Sequence, residues 1–67
     1  MRFVMKLRGY IGKNVELVLS NGDVVRGVLI EVNSSYVIVR APGVPGYDGE
    51  EEVLVRTRVI DYVRVLS

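Results

Sequence analysis

Four carboxylates crowd into one short stretch, Asp48, Glu50, Glu51 and Glu52, and carboxylate oxygens are what hard divalent cations take as ligands. Consecutive residues of a strand point to opposite faces, however, so these side chains meet on one ion only if a special turn gathers them. A solvated, charged strand end that discourages edge-to-edge aggregation fits the pattern better. Tyr47, just before them, is the aromatic expected to stand exposed, either as a partner contact or without a role. Other chemistry is sparse. The chain holds no His and no Cys, which removes the usual zinc ligands and both the commonest general base and the thiol nucleophile. Its serines lie in turn-like stretches with no visible base, and a chain this small has little room to shape a deep pocket. The composition argues against an enzyme and implies no cofactor or metal.

Binding is the remaining class, and charge bounds it. Nine basic against eight acidic residues leave a net charge of +1. A protein that coats DNA nonspecifically is far more basic, because neutralised phosphates drive that association. A few local basic contacts remain open. On a short N-terminal helix Arg2, Lys6 and Arg8 either reach a nucleic acid or form a solvated face.

The elements that would position these residues follow from periodicity. Sixty-seven residues make one domain spanning 1–67. Arg2 to Tyr10 is the only helical stretch, with Phe3, Leu7 and Tyr10 or Ile11 forming its apolar stripe. At about two turns it needs a surface to dock on, and Gly9 and Gly12 offer places to stop. The rest alternates as strands. Asn14 to Leu19 turns Val15, Leu17 and Leu19 to one face and Glu16 to the other. Asn21-Gly22 then predicts a tight hairpin with positive φ at both residues. Val24 to Asn33 follows, with Gly27 marking a bulge or bend. Asn33-Ser34-Ser35 makes a second turn, and Tyr36 to Arg40 is a third, nearly all-apolar strand. Ala41 to Gly49 reads as a loop, Val53 to Arg56 as a fourth strand, Thr57 to Val59 as a link, and roughly Ile60 to Leu66 as a fifth strand.

Five short antiparallel strands, one of them bent at Gly27, predict an all-β fold with one short N-terminal helix: a small closed or half-closed barrel with the helix capping its open end. A single core is marginal below roughly 70–80 residues. With disulfides excluded and 49% of residues hydrophobic, self-association is the expected source of further stability. No apolar run approaches the ~20 residues of a membrane span and no signal peptide is visible, so a cytoplasmic location is expected.

Taken together, these residues resemble the Sm-like protein family. Its first motif runs from a Gly before the first strand, through an Asn-Gly hairpin, to a Gly and an apolar residue in the second strand. Here those are Gly12, Asn21-Gly22, Gly27 and Leu29. The family continues with an apolar residue and an Asp, then, two residues on, Met-Asn, where this chain has Val32, Asn33, Ser34, Ser35, Tyr36 and Val37. Its second motif, an apolar strand ending in Arg-Gly before a final strand, is matched by Val55-Arg56-Thr57-Arg58-Val59-Ile60-Asp61-Tyr62-Val63, with Thr57 where Gly is usual. The likeness extends from the helix to Leu66.

The resemblance implies a five-stranded, strongly bent antiparallel SH3-like barrel (the Sm fold). It also implies a homo-oligomeric ring of six or seven subunits, closed by pairing the fourth strand of one copy with the fifth of the next. In such rings single-stranded, uridine-rich RNA is held between the turn after the second strand and the Arg before the fifth. Residue by residue, Asn33 takes the Asp position, Ser35 the base-stacking position and Val37 the base-reading position, while Arg56 is the retained Arg. A serine cannot stack and a valine cannot read a base edge, so the usual uridine site is altered. Tyr36 offers a ring, or packs in the core as an apolar residue would. Arg56 and Arg58 either ring a central pore with positive charge or pair with Glu on neighbouring strands. The expected function is RNA binding in RNA metabolism through Asn33, Ser35, Arg56 and Arg58. The alternatives are the same fold as a structural assembly module without nucleic acid, or a different small SH3-like barrel that binds structured RNA as a monomer.

Overall fold

The computed structural model describes residues 2–42 and 49–67. Helix α1 (Arg2–Arg8) precedes five strands, β1 (Asn14–Leu19), β2 (Val24–Val32), β3 (Tyr36–Pro42), β4 (Glu50–Arg56) and β5 (Ile60–Val65), with a single 3₁₀ turn (Thr57–Val59) between the last two. All five lie in one antiparallel sheet of order β4-β3-β2-β1-β5. The hydrogen-bonded ladder is open. β4 and β5 are its two edges, although only the 3₁₀ turn separates them in the chain. Among the described residues no helix is long and apolar enough to cross a membrane.

Alternation decides what is buried. Val15 and Leu17 of β1, Leu29 of β2, and Val37 and Val39 of β3 are fully buried, and Val32 and Val55 are nearly so. α1 closes this core with Val4 and Leu7, while Tyr10 packs at its margin. The expected stripe was therefore one residue out of phase at its start: Phe3 is 39% exposed and Ile11 is exposed as well. The helix proper ends at Arg8, and Val4, Leu7 and Tyr10 keep a spacing of three through the 3₁₀-like bonds that follow it. In these, Gly9, Tyr10 and Ile11 donate to the carbonyls of Lys6, Leu7 and Arg8.

The first hairpin differs in kind from the tight turn expected. Gly22 has φ +93°, but among the described residues no non-glycine has positive φ, so Asn21 does not. Gly22 N donates to the Leu19 carbonyl and Leu19 N to that of Asp23, giving a three-residue loop with Gly22 at its left-handed position. The Asn21 side chain accepts from Asp23 N instead. The register it sets is regular, from Val18↔Val24 to Asn14↔Val28.

Gly27 pairs regularly with Val15, so it is not itself a bulge. The irregularity in β2 falls at Ile30, which the pairing with β3 skips between Leu29↔Val39 and Glu31↔Ile38. Gly27 serves a close approach. A Cβ there would lie 2.6 Å from Val39 Cγ1 and 2.9 Å from the Arg40 carbonyl carbon. At the next residue, Val28, the chain is shared between β1 and β3, paired with Asn14 on one side and Arg40 on the other.

β3 and β4 are longer than their sequence suggested. Glu50, Glu51 and Glu52 pair with Pro42, Ala41 and Arg40, within what reads as a loop and its flank. All three glutamates are exposed, and among the described residues no group of carboxylates is arranged to hold a metal ion. Asp48 and Tyr47 lie outside the described residues.

Candidate nucleic-acid interface

The turn between β2 and β3 is held by one side chain. Asn33 Oδ1 accepts from both Ser35 N and Tyr36 N, each at 2.9 Å, and Asn33 N donates to the Tyr36 carbonyl. An Asn that folds its side chain back onto the next amides fixes a turn without help from a ladder. Asn33 thus shapes the turn, and its acceptor oxygen is already engaged.

Thr57 locks that turn to the second motif. It is buried; its Oγ1 donates to the Asn33 carbonyl at 2.8 Å and its amide to the Ser35 carbonyl at 3.0 Å. In sequence Thr57 is a departure, within a link, from the Gly usual in the motif it resembles. The structure makes it the clamp that brings Asn33 and Ser35 beside Arg56. A buried, β-branched hydroxyl residue where glycine was looked for is the signal that could have pointed to this.

The site residues do not all meet at one spot. Arg56 is exposed at the end of β4, directly opposite Tyr36 of β3. Arg58 is exposed in the 3₁₀ turn and lines a cavity of about 310 Å³ with Phe3, Ser34, Thr57, Ile60 and Asp61. Ser35 is exposed and Val37 fully buried, so the position assigned to base reading faces the core. Arg56 and Arg58 do not pair with glutamates, contrary to one expectation. Among the described residues the ion pairs are Arg26–Glu16, Arg64–Glu16 and Arg40–Glu52, and neither Arg56 nor Arg58 donates a hydrogen bond. Arg8 donates its Nε to the Val32 carbonyl at 3.1 Å, tying α1 to the strand that leads into the turn. Arg2 and Lys6 are exposed.

Tyr36 was expected to pack in the core, with a stacking role as the alternative. It does not join the core. Val37 and Val39 occupy the inward positions of β3, so alternation turns Tyr36 outward. Its hydroxyl donates to Glu31 Oε2 at 2.8 Å.

On the outer face at the other end of the sheet, Glu16 of β1 sits between Arg26 of β2 and Arg64 of β5, its register partners on either side. Arg26 donates Nε and Nη2 to Oε2, the former at 3.1 Å, and Arg64 Nη1 lies 3.6 Å from Oε1. The hydrogen bonds from Arg26, with the charges of both arginines, hold the Glu16 carboxyl below its ordinary pKa against a smaller opposing effect of desolvation. These two arginines are committed to an acid; among the described residues Arg56 and Arg58 are not.

Comparison with family models, with curated proteins and with solved structures gave no match to this chain.

Proposed function

We propose that this chain is an Sm-like protein that binds single-stranded RNA as a homo-oligomeric ring in the cytoplasm, without catalysis. One observation carries the reading: Thr57 fastens the Asn33 turn to the strand end that bears Arg56, setting Arg56 and Arg58, unpaired among the described residues, beside a turn held by its own hydrogen bonds. Guanidinium groups in this state serve phosphate and base-plane contacts in single-strand recognition. Assembly is supported separately. Among the described residues no further strand pairs with either sheet edge, and Leu54 on β4 and Tyr62 and Val65 on β5 are exposed, Leu54 by 60%. Edge strands of this composition call for a partner. Pairing β4 of one copy with β5 of the next would complete a barrel-like closure between subunits.

The burial of Val37 and the bare Ser35 favour a second reading, in which the same assembly carries no RNA. Fluorescence anisotropy with short uridine-rich and cytidine-rich RNAs, at low and moderate salt, separates the two. RNA binding predicts affinity that persists at moderate salt and falls at least about tenfold in Arg56→Ala, as loss of one good contact implies, with the oligomer's mass unchanged by light scattering. Binding that vanishes equally for both RNAs as salt rises, and ignores Arg56→Ala, would leave only nonspecific charge attraction and the assembly reading.

A further inference from the structure

We infer that Tyr36, Arg56 and Glu31 form a base-binding subsite on the outer face of the sheet, and that it selects guanine over uracil. The inference rests on the RNA-binding reading above and gives it a base preference.

Tyr36 and Arg56 are register partners on neighbouring antiparallel strands, so their side chains leave the sheet on the same face with Cβ atoms about 4.5–5.5 Å apart. The phenol ring is tethered at its far end by the 2.8 Å bond to Glu31. Arg56 has no hydrogen bond or ion pair among the described residues and is exposed. An anchored aromatic ring beside an uncommitted planar cation is what a splayed base stacks on. The ring that Ser35 lacks is therefore supplied one residue later, from the strand instead of the turn.

Glu31 sets the preference. Its Oε2 accepts from Tyr36 and faces Asn33 Nδ2 at 3.5 Å; among the described residues nothing donates to Oε1. An ionised carboxylate only accepts. Guanine offers N1–H and N2–H donors side by side on its pairing edge, a match for a carboxylate. Uracil offers one N–H flanked by two carbonyl oxygens, which a carboxylate repels. Adenine and cytosine, with one amino group each, fall between.

The test uses three fluorescein-labelled uridine heptamers whose central base is uracil, guanine or hypoxanthine, the last lacking the N2 amino group. Anisotropy titrations at moderate salt compare the parent chain with Glu31→Gln, Tyr36→Phe, Tyr36→Ala and Arg56→Ala, each checked for folding by circular dichroism. The guanine heptamer should bind at least about fivefold tighter than the uracil one, the lower end for a two-bond base contact, with hypoxanthine between. Glu31→Gln should abolish that difference without lowering uracil affinity. Tyr36→Ala should weaken all three by roughly fivefold or more, as loss of a stacking platform does, and Tyr36→Phe should keep most of that affinity. If the heptamers bind through Arg56 but with equal affinity, or Tyr36→Ala is silent, the subsite is refuted while RNA binding stands. If none binds, both fall.

Discussion

Gly27→Ala is the sharpest structural perturbation this fold offers. The added methyl would lie 2.6 Å from Val39 Cγ1 and 2.9 Å from the Arg40 carbonyl carbon, where carbon atoms normally meet at about 3.5–4.0 Å. Val39 is fully buried and cannot swing away, and the second obstacle is backbone in a paired strand. Overpacking of this sort costs about 1–3 kcal/mol, and with two rigid neighbours about 3 kcal/mol is expected. The entropy of unfolding is about 2.1 cal/mol/K per residue, so over 67 residues it comes to about 140 cal/mol/K, and 3 kcal/mol lowers Tm by about 20 °C. A domain of this length has only about 3–10 kcal/mol in total, so the variant would lose between about a third and all of its stability. Gly22→Ala is the control. Nothing lies within 4 Å of that position and only its φ of +93° is at stake, a cost of about 1–2 kcal/mol. Thermal melts by circular dichroism, at one protein concentration because assembly would shift Tm, measure both. A Gly27→Ala melt within about 5 °C of the parent, or a Gly22→Ala loss exceeding it, would mean that β3 does not lie against β2 at Gly27.

Two further outcomes are expected. Thr57→Val removes the hydroxyl that satisfies the Asn33 carbonyl and should destabilise by about 1–3 kcal/mol; RNA affinity should fall with it, whereas Thr57→Ser should retain both, read by melts and anisotropy. For Glu16, the folded carboxyl loses its proton more readily than the unfolded one, whose ordinary value is 4.5. Its contribution is therefore full above about pH 4.5 and fades as pH falls through the folded value. Glu16→Gln should melt below the parent at pH 7, and the gap should close on acidification; a gap independent of pH would rule out the paired carboxylate as its source.

How far the sequence carried these conclusions depends on what each residue answers to. The helix, the two turns and the strand alternation are local, and Val15, Leu17, Gly22 and Asn33 reveal them through period and turn chemistry. Asn21 misleads because Asn-Gly serves a tight hairpin and a three-residue loop alike, and the closing pair, Leu19 with Asp23, decides between them. Glu50 to Glu52 join β4 because β3 continues to Pro42 and offers them partners, a tertiary fact. The resemblance puts an apolar core residue at Tyr36, although alternation with Val37 and Val39 already implied the outer face. The role of Thr57 is set by a turn more than twenty residues away, and only its β-branched hydroxyl, standing where glycine was looked for, hints at it.

The short link between the two edge strands has a consequence for shape and for folding speed. From Arg56 to Ile60 the chain advances four residues, at most about 14 Å when fully stretched and less through the 3₁₀ turn observed. Five strands laid flat would hold their outermost members about 19 Å apart. A planar sheet is therefore impossible for this chain, and its curl is enforced covalently even though no ladder joins β4 to β5. The same tether delays completion. β5 must find β1 across a span such as Leu17 to Val63, so the final pairing is among the most distant in sequence, the topology of domains that fold in milliseconds to seconds.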